Sequence, residues 1–530
     1  MLEKQDMYKL IEEHPEYKEL LFCKGYLITD NLCLDSILFP FSFEHWTCKR
    51  VGKFDIWHDE RLPLITVEKD NETIFLLGHA YNPFTMQIDE DEMLRHLITL
   101  SGNDFWEYES QFTGVYMMGI ISNDSITHWV DCTGMLIAYY GAVDGHYYIT
   151  SHIKIVGDLL DLKEDEYITR LKNYKYFHYF GNILPGDFSI YRELKRSVPN
   201  HKYTYKKGKI SYNRFFPLHR INECRNENEY NELVEHVSII MRNNMKVIAE
   251  KWSNKVAAIS VTGGKDSKLT LASTNGQYNH YKYFSYDSSD GETFDVNAAK
   301  KICQELGLRH NTYYVSRNNE DYVTFNDYRE LIAYNYGNLG YPKENETRKR
   351  CHLINNVDYA VEVKSWVDEI GRARYYKRFR KKRFPSNPNA RVCTTLYKFF
   401  CTNRKLVRET DAVFYDYIAK YITKEACELM SWLDQMYWEF SWSACEGANL
   451  ITEHLIISDI TIPYNSRKIA ELLLRPSLIK RINDSLQKDV IKLNNMKIDE
   501  LNIDVLDANY SQNRAKAEHI YFELHSRVPF

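Results

Sequence analysis

The chain has 530 residues, with 68 Lys and Arg against 73 Asp and Glu, giving a formal charge of −5 at neutral pH. A hydrophobic share of 44% beside 27% charged residues excludes a disordered chain, and a pI near 6.4 excludes a molecule coated in basic charge for nucleic acid. At ~150 residues per domain the length sets an expectation of two to four domains.

No window approaches the ~18 uninterrupted apolar residues of a spanning helix. The opening stretch MLEKQDMYKLIEEHPEYKEL is charged and amphipathic and lacks a signal-peptide core. A cytoplasmic protein without a membrane partner is expected. The 11 cysteines form no C-x-x-C pair and no His/Cys ligand spacing, so reduced thiols are expected rather than zinc or disulfides.

In chain order, residues 21–155 alternate short Tyr/Ile/Val/Phe-rich runs with turn signals such as Asp30-Asn31, Asn71-Glu72 and Asp144-Gly145, which predicts many short antiparallel strands. Residues 157–180 read as helix, 181–187 (GNILPGD) break it, and strands resume up to about 216. The period then changes. Tyr230, Leu233, Val237, Ile240, Met241, Met245, Ile248 and Trp252 recur at three- and four-residue steps and predict an amphipathic helix. A domain boundary near 218–228 divides the chain into 1–220 and 221–530. Beyond it the pattern is strand 256–261, helix 267–274, strand 281–286, helix 293–306 and strand 312–315, which predicts parallel βαβ units in a layered α/β sheet. From about 395 the chain reads as mostly helical.

The strongest local signal is Ile259-Ser260-Val261-Thr262-Gly263-Gly264-Lys265-Asp266-Ser267, placed where an apolar strand gives way to a helix. Adjacent glycines let consecutive N–H groups face one point, and the helix N-terminus adds positive potential, so the turn suits a phosphate. Thr262 and Ser267 supply hydroxyls and Lys265 a cation. Asp266 is a candidate ligand for the Mg2+ that accompanies a triphosphate. The spacing does not fit G-x-x-x-x-G-K-[ST], which disfavours γ-phosphoryl transfer.

This turn resembles the S-G-G-x-D-S pyrophosphate loop (PP-loop) of N-type ATP pyrophosphatases, with Thr262 in place of the first serine. Over residues 20–495 the chain is similar to the asparagine synthetase superfamily. In the front half, Phe112-Thr113-Gly114-Val115-Tyr116, Asp131-Cys132-Thr133-Gly134, Tyr139-Tyr140-Gly141, Ser151-His152-Ile153-Lys154, 181–187 and Val198-Pro199-Asn200 follow the order of the family's glutaminase-like domain. The resemblance implies an Ntn-type antiparallel β-sandwich domain followed by a parallel-sheet ATP pyrophosphatase domain with a helical C-terminal part.

It also implies that the strand containing Phe284, Ser285 and Tyr286 lies where adenine and ribose bind; His310, which ends that unit, reads as a capping or core residue, with a nucleotide contact as the alternative. The family's second, acidic turn has its nearest match in Val363-Lys364-Ser365-Trp366-Val367-Asp368-Glu369-Ile370-Gly371, where most of the family's glycines are missing. Ser365 becomes a candidate nucleotide contact, and Asp368 or Glu369 a candidate second carboxylate on magnesium.

Glutamine-dependent members carry a cysteine after the initiator Met; here that residue is Leu2. Without a thiolate no thioester forms, so no glutaminase activity is expected. Cleavage before Cys23, in a strand-like run, is the weaker alternative. Members without this cysteine resemble β-lactam synthetase, carbapenam synthetase, lasso-peptide cyclases and enzymes that amidate sugar acids. The resemblance therefore implies ATP-dependent adenylation of a carboxylate and displacement of AMP by an amine. Its partners would be a carboxylate-bearing small molecule, sugar acid or peptide and an amine donor, with ATP and Mg2+ as cofactors.

The cyclising relatives use a late lysine, for which Lys488 is the candidate and Lys492 the neighbour, after Pro463-Tyr464-Asn465-Ser466-Arg467. The Tyr-Glu base of the β-lactam-forming members finds no motif. A basic run, Arg372, Arg374, Lys377, Arg378, Arg380, Lys381, Lys382 and Arg383, follows the acidic turn. It is a solvated face, a pyrophosphate contact through Arg372 or Arg374, or an RNA contact. The remaining readings are tRNA or nucleotide modification by the same adenylation, and a catalytically degraded ATP-binding scaffold.

Overall fold

A computed structural model describes residues 1–31, 40–175, 177–379, 383–397 and 403–501, with isolated residues beyond 501. Arg380, Lys381 and Lys382 of the basic run lie outside the described residues.

The alternating runs of the first half form two six-stranded sheets, antiparallel in every pairing. They face one another through aromatic side chains: the Tyr147 ring stacks on Tyr205 at 4.4 Å, and His128 Nε2 is 3.0 Å from Tyr147 Oη. The long strands Glu72–Tyr81 and Thr113–Ser122 pair along their full length. Gly114 belongs to this pairing for a steric reason. Its φ is +149°, and a Cβ there would meet His79 O at 2.2 Å.

Two expectations change. Residues 157–180 do not form one helix: Ile153–Leu159 and Glu166–Lys172 are separate short helices, the second started by Asp165, whose carboxylate accepts from the N–H groups of Tyr167 and Ile168. Cys23 lies in a turn before the strand Tyr26–Thr29. It is buried, its thiol is pushed up to about 11 by burial, and it is not poised as a nucleophile.

The helix Glu227–Lys251 carries the apolar face that the periodicity predicts, and Asn226 caps it by accepting from Glu229 N. The second half is built on a five-stranded parallel sheet in the order His310–Tyr314, Tyr281–Asp287, Ala257–Ser260, Val361–Val363, Asp459–Thr461. The fold class is thus two layered antiparallel sheets followed by a helix-flanked parallel sheet. Among the described residues no helix is long and apolar enough to cross a membrane.

The segment expected to lead into a catalytic lysine instead joins the two halves. Asn465 Nδ2 donates to Gly114 O at 2.6 Å and its Oδ1 accepts from Thr133 Oγ1 at 2.7 Å. The Arg467 guanidinium, fully buried, pairs with the equally buried Glu109 at 2.9 Å and donates to Val130 O at 2.6 Å. Removing one member of such a buried pair costs about 3–5 kcal/mol, because the other charge is left without a partner.

Candidate functional site

The parallel sheet reverses its strand order between Ala257–Ser260 and Val361–Val363. Ligands of open α/β sheets bind beyond the carboxyl ends of strands at such a reversal. Both segments singled out in the sequence emerge there: residues 262–267 follow the first strand and enter the helix Lys265–Ser273, and residues 364–372 follow the second.

The glycine turn is closed by its own hydrogen bonds. Thr262 N donates to Ser267 Oγ at 2.8 Å, Ser267 Oγ donates to Ser260 O at 3.3 Å, and Gly264 N donates to Thr262 Oγ1 at 3.1 Å. Gly263 N donates to Asp295 Oδ1 at 3.1 Å, so a carboxylate already sits on an N–H that a phosphate oxygen would use. Burial pushes the Asp295 carboxyl up, as expected of an acid with few compensating donors.

The acidic turn is strained where glycines are missing. Val367 has φ +83° and Ala373 φ +47°, so the two residues flanking Asp368–Arg372 hold left-handed backbone that glycine would take at no steric cost. This geometry turns Asp368 fully inward. Neither of its oxygens accepts a bond from an N–H or O–H among the described residues, and its carboxyl lies beside that of Asp266. Burial pushes the Asp368 carboxyl well up, and the Asp266 charge adds to it. Asp266 is also raised, by burial first, against the lowering effect of Arg372.

Around the pair stands a ring of charge that the sequence did not disclose. Asp484, nearly buried and with φ +55°, accepts from Lys265 Nζ at 2.8 Å, Arg372 Nε at 3.0 Å and Lys377 Nζ. Arg372 also pairs with Asp266. Three cations hold the Asp484 carboxyl down at about 2 despite burial. The stretch Asn483-Asp484-Ser485 reads as a helix start, and it does precede the helix Ser485–Asn494, but this signal does not disclose a carboxylate shared by three cations.

Glu369 touches this cluster through Arg372, 4.0 Å from its Oε1, and reaches beyond it. Its Oε2 accepts from Tyr437 Oη at 2.7 Å, and Arg374 lies 3.7 Å from it. A Tyr-Glu pair therefore exists, with its tyrosine on a π-helical segment, Met436–Gly447, which no sequence motif flagged. Among the described residues no group of three or more His, Cys, Asp or Glu side chains converges as a metal site. The carboxyl pair suits the one or two protein carboxylates that magnesium takes beside phosphate oxygens.

The remaining candidates divide. Phe284 is core, its ring stacked on Tyr359 at 4.9 Å, and Tyr286 is enclosed. Ser285 Oγ donates to Val261 O at 2.5 Å and contacts His310 Nε2 at 2.8 Å, so His310 braces adjoining strands. These contacts tie the side chains into the sheet. Ser365 keeps a buried Oγ without a partner among the described residues. Lys488 is exposed on its helix and makes no ion pair with the cluster, since its neighbours Leu486, Gln487 and Val490 take the buried face.

No protein-family model and no curated protein matches the chain. Similar solved structures include an allosteric regulatory enzyme of purine biosynthesis, 14% identical over 54% of this chain, at a TM-score of 0.23. Another is the glutamine phosphoribosylpyrophosphate amidotransferase of B. subtilis in complex with ADP and GMP, 13% identical over 59% of this chain, also at 0.23. The chain covers 58% and 64% of those two proteins. Overlaps this loose carry no argument about chemistry.

Proposed function

We propose that the protein is an ATP-dependent amide-forming ligase that adenylates a carboxylic acid. The observation that carries this reading is the inward Asp368 carboxyl beside Asp266 at the strand-order reversal, next to a glycine turn and three cations. Asp266 and Asp368 are the residues that would hold magnesium, which supplies charge neutralisation to a triphosphate. Lys265, Arg372 and Lys377 are suited to the departing pyrophosphate.

In the first step an acid oxygen bonds to the α-phosphorus of ATP as the bond to the β-phosphate oxygen breaks, and pyrophosphate leaves with the electron pair. In the second, an amine nitrogen bonds to the acyl carbon, AMP leaves, and the nitrogen loses a proton. Holding amine and acyl carbon together is worth up to ~7–11 kcal/mol in favourable intramolecular cases. The Glu369–Tyr437 pair is the candidate acceptor of that proton. Ammonia from glutamine has no support, since Cys23 is buried.

The test is pyrophosphate–ATP exchange, with magnesium, across a panel of carboxylic acids. Acid-dependent exchange that disappears in Asp368→Asn supports the reading; acid-dependent turnover to ADP without AMP overturns it. The occupied N–H of Gly263 favours a second reading, an ATP-binding scaffold without catalysis. It would bind ATP yet form no AMP with any acid and amine.

A further inference from the structure

Beside the acidic turn, lined by Glu369 and by the Arg374 that lies 3.7 Å from it, is a cavity of about 240 Å3. Its walls come from the π-helical segment Met436–Gly447, from the basic run, and from Ile183 of the first half. A π-helix is a rare geometry that recurs at functional sites. Here it brings Tyr437, Phe440 and Trp442 to one cavity together with Glu446.

Four charged side chains line this cavity, Glu369 and Glu446 against Arg374 and Arg378, so what matters is which of them pair with one another. Arg374 is spoken for: it lies 3.7 Å from Glu369 and its guanidinium sits 5.9 Å from the Tyr437 ring centre. Glu446 has no such partner. Its carboxylate receives a weak S–H contact from Cys445 at 3.5 Å and a bond from Asn449, and among the described residues no Lys, Arg or His stands within ion-pair distance of it. A carboxylate on the wall of a cavity that aromatic side chains also line can receive an organic cation, because ring quadrupoles and the acid attract the same charge.

A second group is also incomplete. Trp442 is 6% exposed, and its indole N–H has no acceptor among the described residues. Buried donors of this kind are uncommon unless a ligand or water completes them. The missing molecule therefore carries a hydrogen-bond acceptor as well as a positive nitrogen.

We infer that this cavity binds a primary amine with a flat apolar body and an acceptor oxygen, its ammonium on Glu446, as the amine substrate of the ligation. The inference rests on the ligase reading for the amine's fate but not for its binding. A cavity of this size takes a single-ring amine, and it lies below the ~300–1,000 Å3 of drug-sized pockets.

Tyramine is the probe, titrated calorimetrically against the full chain without ATP. 3-(4-Hydroxyphenyl)propionate, which replaces the cation by an anion, and phenethylamine, which lacks the acceptor, are the comparisons. Tyramine is expected to bind saturably and at least tenfold more tightly than the propionate. Glu446→Gln should remove that preference. Trp442→Phe should weaken tyramine about tenfold, the effect of one hydrogen bond, and leave phenethylamine unchanged. Trp442→Phe keeps the inference testable if Glu446→Gln does not fold.

Equal or stronger binding of the propionate, no binding of either amine, or an unaltered preference in a folded Glu446→Gln protein overturns the inference. Pyrophosphate–ATP exchange is scored separately. Absence of exchange with tyramine binding intact defeats the ligase reading alone, and exchange without amine binding defeats this inference alone.

Discussion

Asp484→Asn removes the one carboxylate that Lys265, Arg372 and Lys377 share, and leaves three cations facing one another behind the glycine turn. The cost follows from the carboxyl's depression from 3.8 to about 2. At 1.36 kcal/mol per unit this is on the order of 2 kcal/mol. Because the folded value lies below the unfolded one, this stability is fully present above the unfolded pKa of 3.8 and is lost as pH falls through about 2. With an unfolding entropy of ~2.1 cal/mol/K per residue, a chain of this length unfolding as one unit loses roughly 1 °C of Tm per kcal/mol. The variant is therefore expected to melt about 2–3 °C below wild type at pH 7. Pyrophosphate added without magnesium should restore the loss, since an anion can replace the carboxylate between the cations. It should raise the variant's Tm more than the wild type's, where Asp484 repels it. Differential scanning calorimetry with and without saturating pyrophosphate reads both effects. If pyrophosphate stabilises wild type more than the variant, the three cations are not an anion site.

Asp368→Asn is expected to abolish acid-dependent pyrophosphate exchange and yet raise the neutral-pH Tm by about 1–3 °C, since it replaces a buried carboxylate without donors, a defect worth ~1–3 kcal/mol; a lower Tm would mean that the carboxyl is structurally paired. Ala373→Gly should stabilise by about 1 kcal/mol, because the left-handed backbone at φ +47° costs alanine that much, and chemical denaturation that finds it destabilising would contradict the strain. Burial pushes His128 down to about 3, so between there and its unfolded value of 6.5 it takes up a proton on unfolding, and its contribution to stability falls as pH falls. His128→Gln should therefore flatten the pH dependence of stability over pH 6 to 4 by up to ~1.4 kcal/mol per unit, measured as denaturant midpoints of both proteins at each pH. Parallel curves would show that the imidazole titrates alike in both states.

The sequence made the layout of the parallel sheet legible because local signals sufficed: an apolar run ending in Gly263-Gly264, followed by helix periodicity, states where a strand stops and a helix starts. The acidic turn was legible only in part. Its geometry needs two left-handed residues, and Val367 and Ala373 supply them against their own preference, so a reader looking for glycine finds none. The segment 157–180 read as one helix because apolar spacing carries through it, while the break depends on Asp165 capping a new start.

What stayed hidden has a common cause, which is sequence distance. Asp484 meets Lys265 across 219 positions, and Tyr437 meets Glu369 across 68. No window joins such residues, and each alone is an ordinary charged or aromatic position. Lys488 shows the converse difficulty. A lysine on an amphipathic helix satisfies any motif that asks for a cation near the C-terminus, yet helix phase decides whether it faces the crevice, and Leu486, Gln487 and Val490 give the buried face to others. The basic run contains the same ambiguity resolved residue by residue: Lys377 turns to Asp484, Arg374 to Glu369, and neither composition nor charge count separates the two destinations. Burying a carboxylate is costly enough that each one found inside must be explained by a partner, so Asp368, without a donor among the described residues, and Glu446, without a cation among them, are where the missing molecules are to be sought.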